Sequence, residues 1–582
     1  MSFELKSLPR TQNPEPRTQN PEFFMLYKLI ALNARYTHSC LALFYVRSGL
    51  EKNIPGCQPE IIQYTINDPY YPMLRRIGSD EPEALFFSVY IWNSLYIQRL
   101  VSDLVNILLD TPIILGGPQA GPLAQNLQPH VFQRCTVVYG EIEGVEKLFY
   151  HDLADNKLQR KYNSRKIKTF KNPYRPDDFA GPLQNRQIYY ESSRGCPFGC
   201  TYCLSASEKG VRHLQSSQVL DEIKSILQYS PKVIRFVDRT FNDLSERALE
   251  IWRFLAEQSG DTLFHFEMAP DRFTEEMYQF LEQVSPGRFQ FEIGVQSTNQ
   301  DTLKAINRQC DQEKLERNIR KLASLDTIHI HLDLILGLPY ETRDTYARSF
   351  ADVFALGSHY IQMGLLKILP DAPISQSIDE FGLLVCEEPP YEILANRWLD
   401  NQAISELFWF GECVEAFYNN RYFRTVWQYL RNSNEDMFCF FESLLSLCHQ
   451  NNFFDLAPTQ ELLSSLLLEF SQKRTDQAFF QELLIYDWLR CGHRFLPDHL
   501  DIVELAEQKK QLWQDLPQNL AGAYSYQNRD AFFKQGAFVR FSGQLLELVG
   551  LAAGQEFGFV CFLAARESAV FKHNKVLFIA ES

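Results

Sequence analysis

Three cysteines, Cys196, Cys200 and Cys203, stand in the run Ser193-Arg-Gly-Cys-Pro-Phe-Gly-Cys-Thr-Tyr-Cys-Leu. With 13 Cys in 582 residues, composition alone would produce Cys-x-x-x-Cys-x-x-Cys with a chance of roughly 0.006, so the spacing points to shared chemistry. Thiolates suit zinc and iron–sulfur clusters. A structural zinc normally closes with four protein ligands, and this run offers three. The nearest fourth donor is His213. A zinc site of three Cys and one His therefore stands as the alternative to a cluster with one open coordination position.

Composition sets the surroundings. The chain is 45% apolar and 14% aromatic, enough for several cores and, by length, about three or four domains. Lys+Arg 57 against Asp+Glu 72 gives a net charge of -15, without a long basic run, which argues against a broad nucleic-acid face. No apolar stretch is long enough for a membrane span, and the N-terminus lacks the apolar core of a signal peptide, so a cytoplasmic location is expected. The other ten cysteines lack paired spacing and read as free thiols in a reducing compartment. Residues 1–24 hold a near-duplicate beginning at Arg10 and Arg17, polar and proline-rich, expected as a disordered N-terminal extension. The first apolar run begins at Met25, which is an alternative start for the physiological chain.

From 25 to 150, short apolar runs at 26–32, 61–66, 85–90, 113–115 and 136–139 alternate with amphipathic segments such as 39–52 and 94–109. That alternation predicts an α/β, doubly wound, Rossmann-like domain, which binds ligands beyond the carboxyl ends of its strands. The candidate ligand-facing residues there are Tyr36, Thr37, His38 and Ser39 after the first strand, Trp92 after the third, and Gly116 and Gly117 after the fourth. An ordinary strand-to-helix turn explains the two glycines equally well. Residues 151–186, polar and carrying Pro173, Pro176 and Pro182, read as a linker.

Six strand-like runs follow, at 187–191, 233–238, 263–268, 288–295, 328–336 and 360–369, separated by segments with helical apolar spacing. The series predicts a partial (β/α)6 barrel of the TIM type over 187–375, with chemistry at the carboxyl ends of the strands. The cysteines begin just after its first strand. Asp238, Glu267, Glu292, Gln296 and Asp333 fall near later strand ends, and Gly337-Leu-Pro-Tyr-Glu341 follows the fifth. A charge inside an apolar strand costs several kcal/mol unless it is paired or liganded, which singles out Asp238, Glu292 and Asp333. For Asp333 a salt bridge to a barrel Arg or Lys is an equal alternative.

Residues 376–525 show helical spacing at 392–410, 433–449 and 459–470, with Trp398, Phe408, Trp409 and Phe410 among many aromatics. They are expected to form a mainly helical C-terminal region whose aromatics pack its core. Runs at 537–541, 557–563 and 575–579 predict a small β element within 526–582. The later cysteines lack ligand spacing, so no auxiliary cluster is expected.

The cysteine run, the six-fold series, Phe236-Val-Asp-Arg-Thr-Phe-Asn and Phe291-Glu-Ile-Gly-Val-Gln-Ser together resemble the radical S-adenosylmethionine (SAM) enzymes. The preceding domain, with Leu32-Asn-Ala-Arg-Tyr-Thr-His-Ser, Phe87-Ser-Val-Tyr-Ile-Trp-Asn and Leu115-Gly-Gly-Pro, resembles the cobalamin-binding module of the cobalamin-dependent subclass. More narrowly, the chain is similar to a bacterial subgroup with a C-terminal region of unknown function. The resemblance implies a 4Fe-4S cluster on Cys196, Cys200 and Cys203, with SAM chelating the fourth iron. It implies an aromatic role near adenine for Tyr202, a methionine-amine contact for Asp238, ribose or methionine contacts for Glu292 and Gln296, and an adenine-side motif beginning at Gly337. Asp-x-His-x-x-Gly, which supplies a histidine to cobalt in many cobalamin domains, is absent from this sequence. The resemblance then implies cobalamin bound base-off without a histidine ligand, with His38 as the one alternative donor. The implied activity is methylation of an unactivated carbon; rearrangement, cyclisation or oxidation without methyl transfer, and a non-catalytic sensor, stand as alternatives. The implied partners are an electron donor such as flavodoxin or ferredoxin and a substrate that is a small molecule, lipid or peptide rather than nucleic acid.

Overall fold

The computed structural model describes residues 25–207, 210–500, 510 and 536–579. The expected N-terminal extension, residues 1–24, lies outside them, as does most of 501–535. The chain divides into two compact units, Met1–Arg35 with Cys40–Ile167, and Tyr36–Ser39 with Lys168–Ser582.

The first unit is built on six parallel strands, β1 (Met25–Asn33), β2 (Cys57–Thr65), β3 (Ala84–Ser88), β4 (Ile113–Gly116), β5 (Cys135–Tyr139) and β6 (Lys161–Asn163), in the order β2-β1-β3-β4-β5-β6. The order reverses at β1, with β2 on one side and β3 on the other, so crossover helices cover both faces and a crevice opens at the strand ends there. Burial on both faces explains why β1 reads as a continuous apolar run. Ile30 and Leu32 enter one core with Ile97 and Leu100, while Leu29 and Ala31 enter the other with Leu43 and Phe149. Lys28, fully buried in the same strand, is tolerated because its Nζ donates to the carbonyls of Arg76 at 2.8 Å and Ser79 at 2.7 Å and pairs with Asp80 at 3.2 Å. The expected linker is partly structured: the helix Lys147–Ala154 and the edge strand β6 occupy its first part. Three residues with Tyr162 alone buried are too few to register as an apolar run.

The second unit contains a second parallel sheet. Its strands are β7 (Ile188–Tyr190), β10 (Val233–Phe236), β11 (Leu263–Met268), β12 (Phe289–Gln296), β13 (His329–Leu336) and β14 (Tyr360–Leu365), paired in sequence order. A two-stranded ribbon, β8 (Ser193–Arg194) and β9 (Arg212–His213), lies between β7 and β10. Every right-handed crossover steps the same way, which puts the helices on one face and leaves a concave inner face, the geometry of an open (β/α)6 barrel. The two-residue period sorts the side chains. Phe264, Phe266, Phe289 and Phe291 are fully buried, and Trp252 of the helix Ser245–Glu257 packs over Phe291 at 5.1 Å and Phe266 at 6.1 Å. The alternate residues Arg235, His265, Gln290, Glu292 and His331 contact one another across the inner face. β14 stops at Leu365 rather than 369 because the backbone there turns to a new partner, Ile368 donating to Tyr391 O at 2.9 Å.

Beyond the barrel, helices Asn401–Phe417, Arg424–Asn432, Met437–Gln450, Gln460–Ser471 and Gln477–Arg490 form the expected helical region. The run expected as helix at 392–410 is split: the short ladder β15 (Leu384–Val385) with β16 (Ile393–Ala395) precedes a helix that starts only where Asp400 caps it, accepting Ala403 N–H at 2.8 Å. Phe410 is core, stacked on Phe438 at 4.5 Å, whereas Phe408 and Trp409 remain more than a third exposed. An antiparallel sheet, β17 (Ala537–Ser542), β18 (Phe557–Arg566) and β19 (Asn574–Ile579), closes the chain. No helix among the described residues is long and apolar enough to cross a membrane, and none of the 13 cysteines forms a disulfide.

Candidate functional site

The cysteine loop is fastened at both ends. Asp238, just beyond β10 and fully buried, accepts Ser192 N–H at 2.9 Å and the hydroxyls of Ser192 and Ser193 at 2.6 Å each. Arg247 in turn donates to Ser192 O at 2.9 Å. At the far end Thr201 N–H donates to Ile306 O at 2.9 Å, Ile374 N–H to Thr201 O at 2.9 Å, and Asn307 Nδ2 to Gly199 O at 2.8 Å. Gly195 has φ +98°, and a Cβ there would stand 2.2 Å from Gly210 O, so only glycine fits the turn into the loop.

All three cysteines face one cavity of about 200 Å³. Tyr202, Glu292 and Gln296 also line it, as do Glu267, Asp333, Arg239, Thr240 and Arg308. Among the polar groups at the sulfurs, Thr240 Oγ1 lies 3.6 Å from Cys196 Sγ, and Arg308 Nη1 donates to Cys200 Sγ at 3.6 Å. Gln296 sits at a β-bulge against β13 with φ +72°, a left-handed conformation that costs a non-glycine residue about 1–3 kcal/mol.

The cavity wall separates its carboxylates electrostatically. Burial pushes Glu292 up, but the hydrogen bond from His265 at 2.9 Å, with the charges of His265, Arg235 and His331, outweighs it and holds Glu292 below its ordinary range. Burial raises Glu267 to about 7 against the pull of Arg239. Asp333 is raised by burial, with the charges of Glu292 and Glu267 adding to the effect, and its shielded Oδ1 has no hydrogen-bond partner. The wall therefore sets one carboxyl lowered from its ordinary range beside two that are raised above theirs.

Several expected residues sit elsewhere. Asp238 is not among the residues that line the cavity; its oxygens accept from Ser192 and Ser193 and so hold the loop. Gly337, φ +92°, lies off the wall too; a Cβ there would meet Ile393 Cγ2 at 2.7 Å, which makes it a close-packing position against β16. His213 Nε2 pairs with Asp243 Oδ2 at 3.2 Å. Among the described residues no three His, Cys, Asp or Glu converge on one metal ion. The salt bridge expected as the alternative for Asp333 does not form, since no ion pair reaches it. Arg308 was invisible to strand logic because it follows the helix Gln300–Ala305 in a polar stretch without periodicity.

The remaining candidates divide between the units. Tyr36–Ser39 group with the second unit, where Gln187 N–H donates to Thr37 O at 2.7 Å, Arg186 Nη1 to His38 O at 2.7 Å and Ser39 Oγ to Gln187 O at 2.7 Å. In the first unit Trp92 stacks on Tyr90 at 4.4 Å and donates Nε1–H to Leu32 O at 3.2 Å. Gly117, φ +102°, makes the turn after β4 against Val89, while a Cβ on Gly116 would meet nothing within 4 Å.

The radical SAM superfamily model matches residues 190–353, the stretch that contains the cysteine loop and most of the barrel. Residues 190–353 are a radical SAM domain. C-terminal to the radical SAM domain, residues 379–547 match a family described as protein of unknown function (DUF4080). The chain is 23% identical over 414 residues to the cobalamin-dependent radical SAM methyltransferase TokK of Streptomyces tokunonensis, covering 61% of this chain and 60% of that protein. It is 24% identical over 416 residues to the 2-(S-pantetheinyl)-carbapenam-3-carboxylate methyltransferase of Streptantibioticus cattleyicolor, covering 62% and 60%. The chain thus spans 60% of the length of both curated relatives. Among solved structures, the cobalamin-dependent SAM radical enzyme OxsB with aqua-cobalamin bound has a TM-score of 0.56 at 15% identity, covering 85% of this chain and 84% of that one. The radical SAM methyltransferase TsrM from Kitasatospora setae has a TM-score of 0.50 at 16% identity, covering 61% and 76%. Both likenesses are likenesses of fold.

Proposed function

We propose that this chain is a radical SAM enzyme of the cobalamin-dependent methyltransferase kind, which methylates an unactivated carbon. The observation that carries the reading is the convergence of exactly three thiols, held by a fastened loop, on a polar cavity beside an unpartnered carboxylate oxygen. The donor set suits a 4Fe-4S cluster with one iron left for an external ligand. Cys196, Cys200 and Cys203 would hold that cluster, which supplies the electron that cleaves SAM to a 5′-deoxyadenosyl radical.

The protein's own contribution is position and protection. Asp238 and Asn307 fix the loop. Glu292, kept ionised by His265, offers an acceptor to hydroxyl or ammonium groups, and Tyr202 closes the wall beside the last cysteine. Asp333, its carboxyl raised by burial, offers a bound ligand an oxygen that has no partner of its own. In the first unit the ends of β3 and β4, with exposed Trp92 and open Gly116, suit the flat face of cobalamin, which supplies methyl-transfer chemistry when bound. The sequence lacks Asp-x-His-x-x-Gly, so cobalamin would be held without a histidine ligand. The electron donor is a flavodoxin or ferredoxin, and the substrate a small molecule, lipid or peptide.

Anaerobic reconstitution with iron, sulfide and hydroxocobalamin tests this reading. Under strong reductant the protein should convert SAM to 5′-deoxyadenosine, with S-adenosylhomocysteine appearing once a methyl acceptor is supplied. Material that carries zinc in place of iron, or leaves SAM intact, would sink it.

A further inference from the structure

We infer that Arg308 is a positioning residue that sets the reduction potential of the cluster, by giving the Cys200 thiolate a charge-assisted N–H···S hydrogen bond. The inference rests on the proposed cluster site. Arg308 Nη1 donates to Cys200 Sγ at 3.6 Å, while Nη2 donates to Gly294 O on β12. The planar fork is thus anchored on the barrel wall by one nitrogen and aimed at the sulfur by the other, a bidentate arrangement that a lysine cannot reproduce. Cys200 is buried at 6% exposure, so the cation acts on the sulfur through protein rather than through water.

The need for such a cation follows from the rest of the wall. Glu267, Glu292 and Asp333 line the same cavity. Of these, Glu292 is the carboxyl held below its ordinary range, and with three thiolates it places negative charge around the cluster, which disfavours adding an electron. Hydrogen bonds and positive charge at cluster sulfurs act in the opposite direction. Arg239 also lines the cavity, but Arg308 is the guanidinium hydrogen-bonded to a cysteine sulfur.

Potentiometric titration of reconstituted protein, followed by EPR of the reduced cluster, tests the inference. R308M should load iron and titrate at a lower potential, with at least a tenfold smaller equilibrium constant for reduction, or 59 mV for a one-electron couple. R308K should recover only part of the difference. An unchanged potential in iron-loaded R308M overturns the inference, and a raised KM for SAM in that same variant would assign the guanidinium to substrate instead. Should both variants fail to take up iron, the unaltered holoprotein labelled with 15N at its arginine guanidinium groups decides: hyperfine coupling from that nitrogen to the reduced cluster is expected, and its absence overturns the assignment. Failure of the wild-type protein to bind iron is a different result, which removes the proposed function itself.

Discussion

The carboxylate of Asp238 accepts both the backbone N–H and the hydroxyl of Ser192, at 2.9 and 2.6 Å, four residues before the first cysteine. A residue just beyond the second barrel strand thereby fixes the path of the loop that emerges from the first. Both of its oxygens accept from the loop, and the charge of Arg247, bonded to Ser192 O, adds a favourable contribution.

Asp238→Ala should therefore leave two serine hydroxyls and the Ser192 N–H without their acceptor. Breaking such a buried charge network costs about 3 kcal/mol. We expect a lower urea unfolding midpoint and reduced iron per chain after reconstitution, with Asp238→Asn intermediate, because an amide keeps one acceptor oxygen.

Cys200→Ala should abolish iron loading and SAM cleavage together, since two thiolates cannot hold the cluster on three corners. Iron and acid-labile sulfide analysis, with assay of 5′-deoxyadenosine, checks both at once. Intact cleavage in this variant would overturn the cluster assignment.

Glu341 gives the chain a pH dependence separate from the cavity. It is fully buried, its Oε1 accepts Ser297 Oγ at 2.6 Å and Ser349 Oγ at 3.1 Å, and Oε2 has no partner. Burial raises it to about 7 from the 4.5 of an ordinary glutamate, although the serine hydrogen bonds oppose the shift. The folded state holds this proton where the unfolded chain has lost it. The associated stability is therefore complete below about pH 4.5 and is lost as the pH rises through 7, up to about 3 kcal/mol. Glu341→Gln removes the buried charge, so urea unfolding at pH 8 should show the variant more stable than wild type, with the gap nearly closed at pH 5.

The two glycines after β4 should behave oppositely. A Cβ on Gly117, at φ +102° and 2.5 Å from Val89 O, forces the turn open, so Gly117→Ala should destabilise the first unit by about 2 kcal/mol. Gly116 has open space where its Cβ would be. Gly116→Val should fold normally yet weaken hydroxocobalamin binding tenfold or more, read from the visible spectrum. Equal binding by this variant would move the corrinoid site away from β4.

The cysteine spacing, the two strand series and the helical C-terminal region were legible in the sequence, because ligand spacing and apolar period are local properties that neighbouring residues carry together. The short edge strand β6 and the split at 392–410 were not, since three residues or a capping aspartate leave no periodic signal. What the charged strand positions do was decided only by the tertiary structure. Sequence marked Asp238, Glu292 and Asp333 alike as costly; folding gave Asp238 two serines 45 and 46 residues away, Glu292 a histidine 27 residues away, and Asp333 Oδ1 nothing. Arg308 meets Cys200 across 108 residues. Such pairings depend on strand order and register, which bring distant side chains to one cavity wall, and no pattern of nearest neighbours contains them.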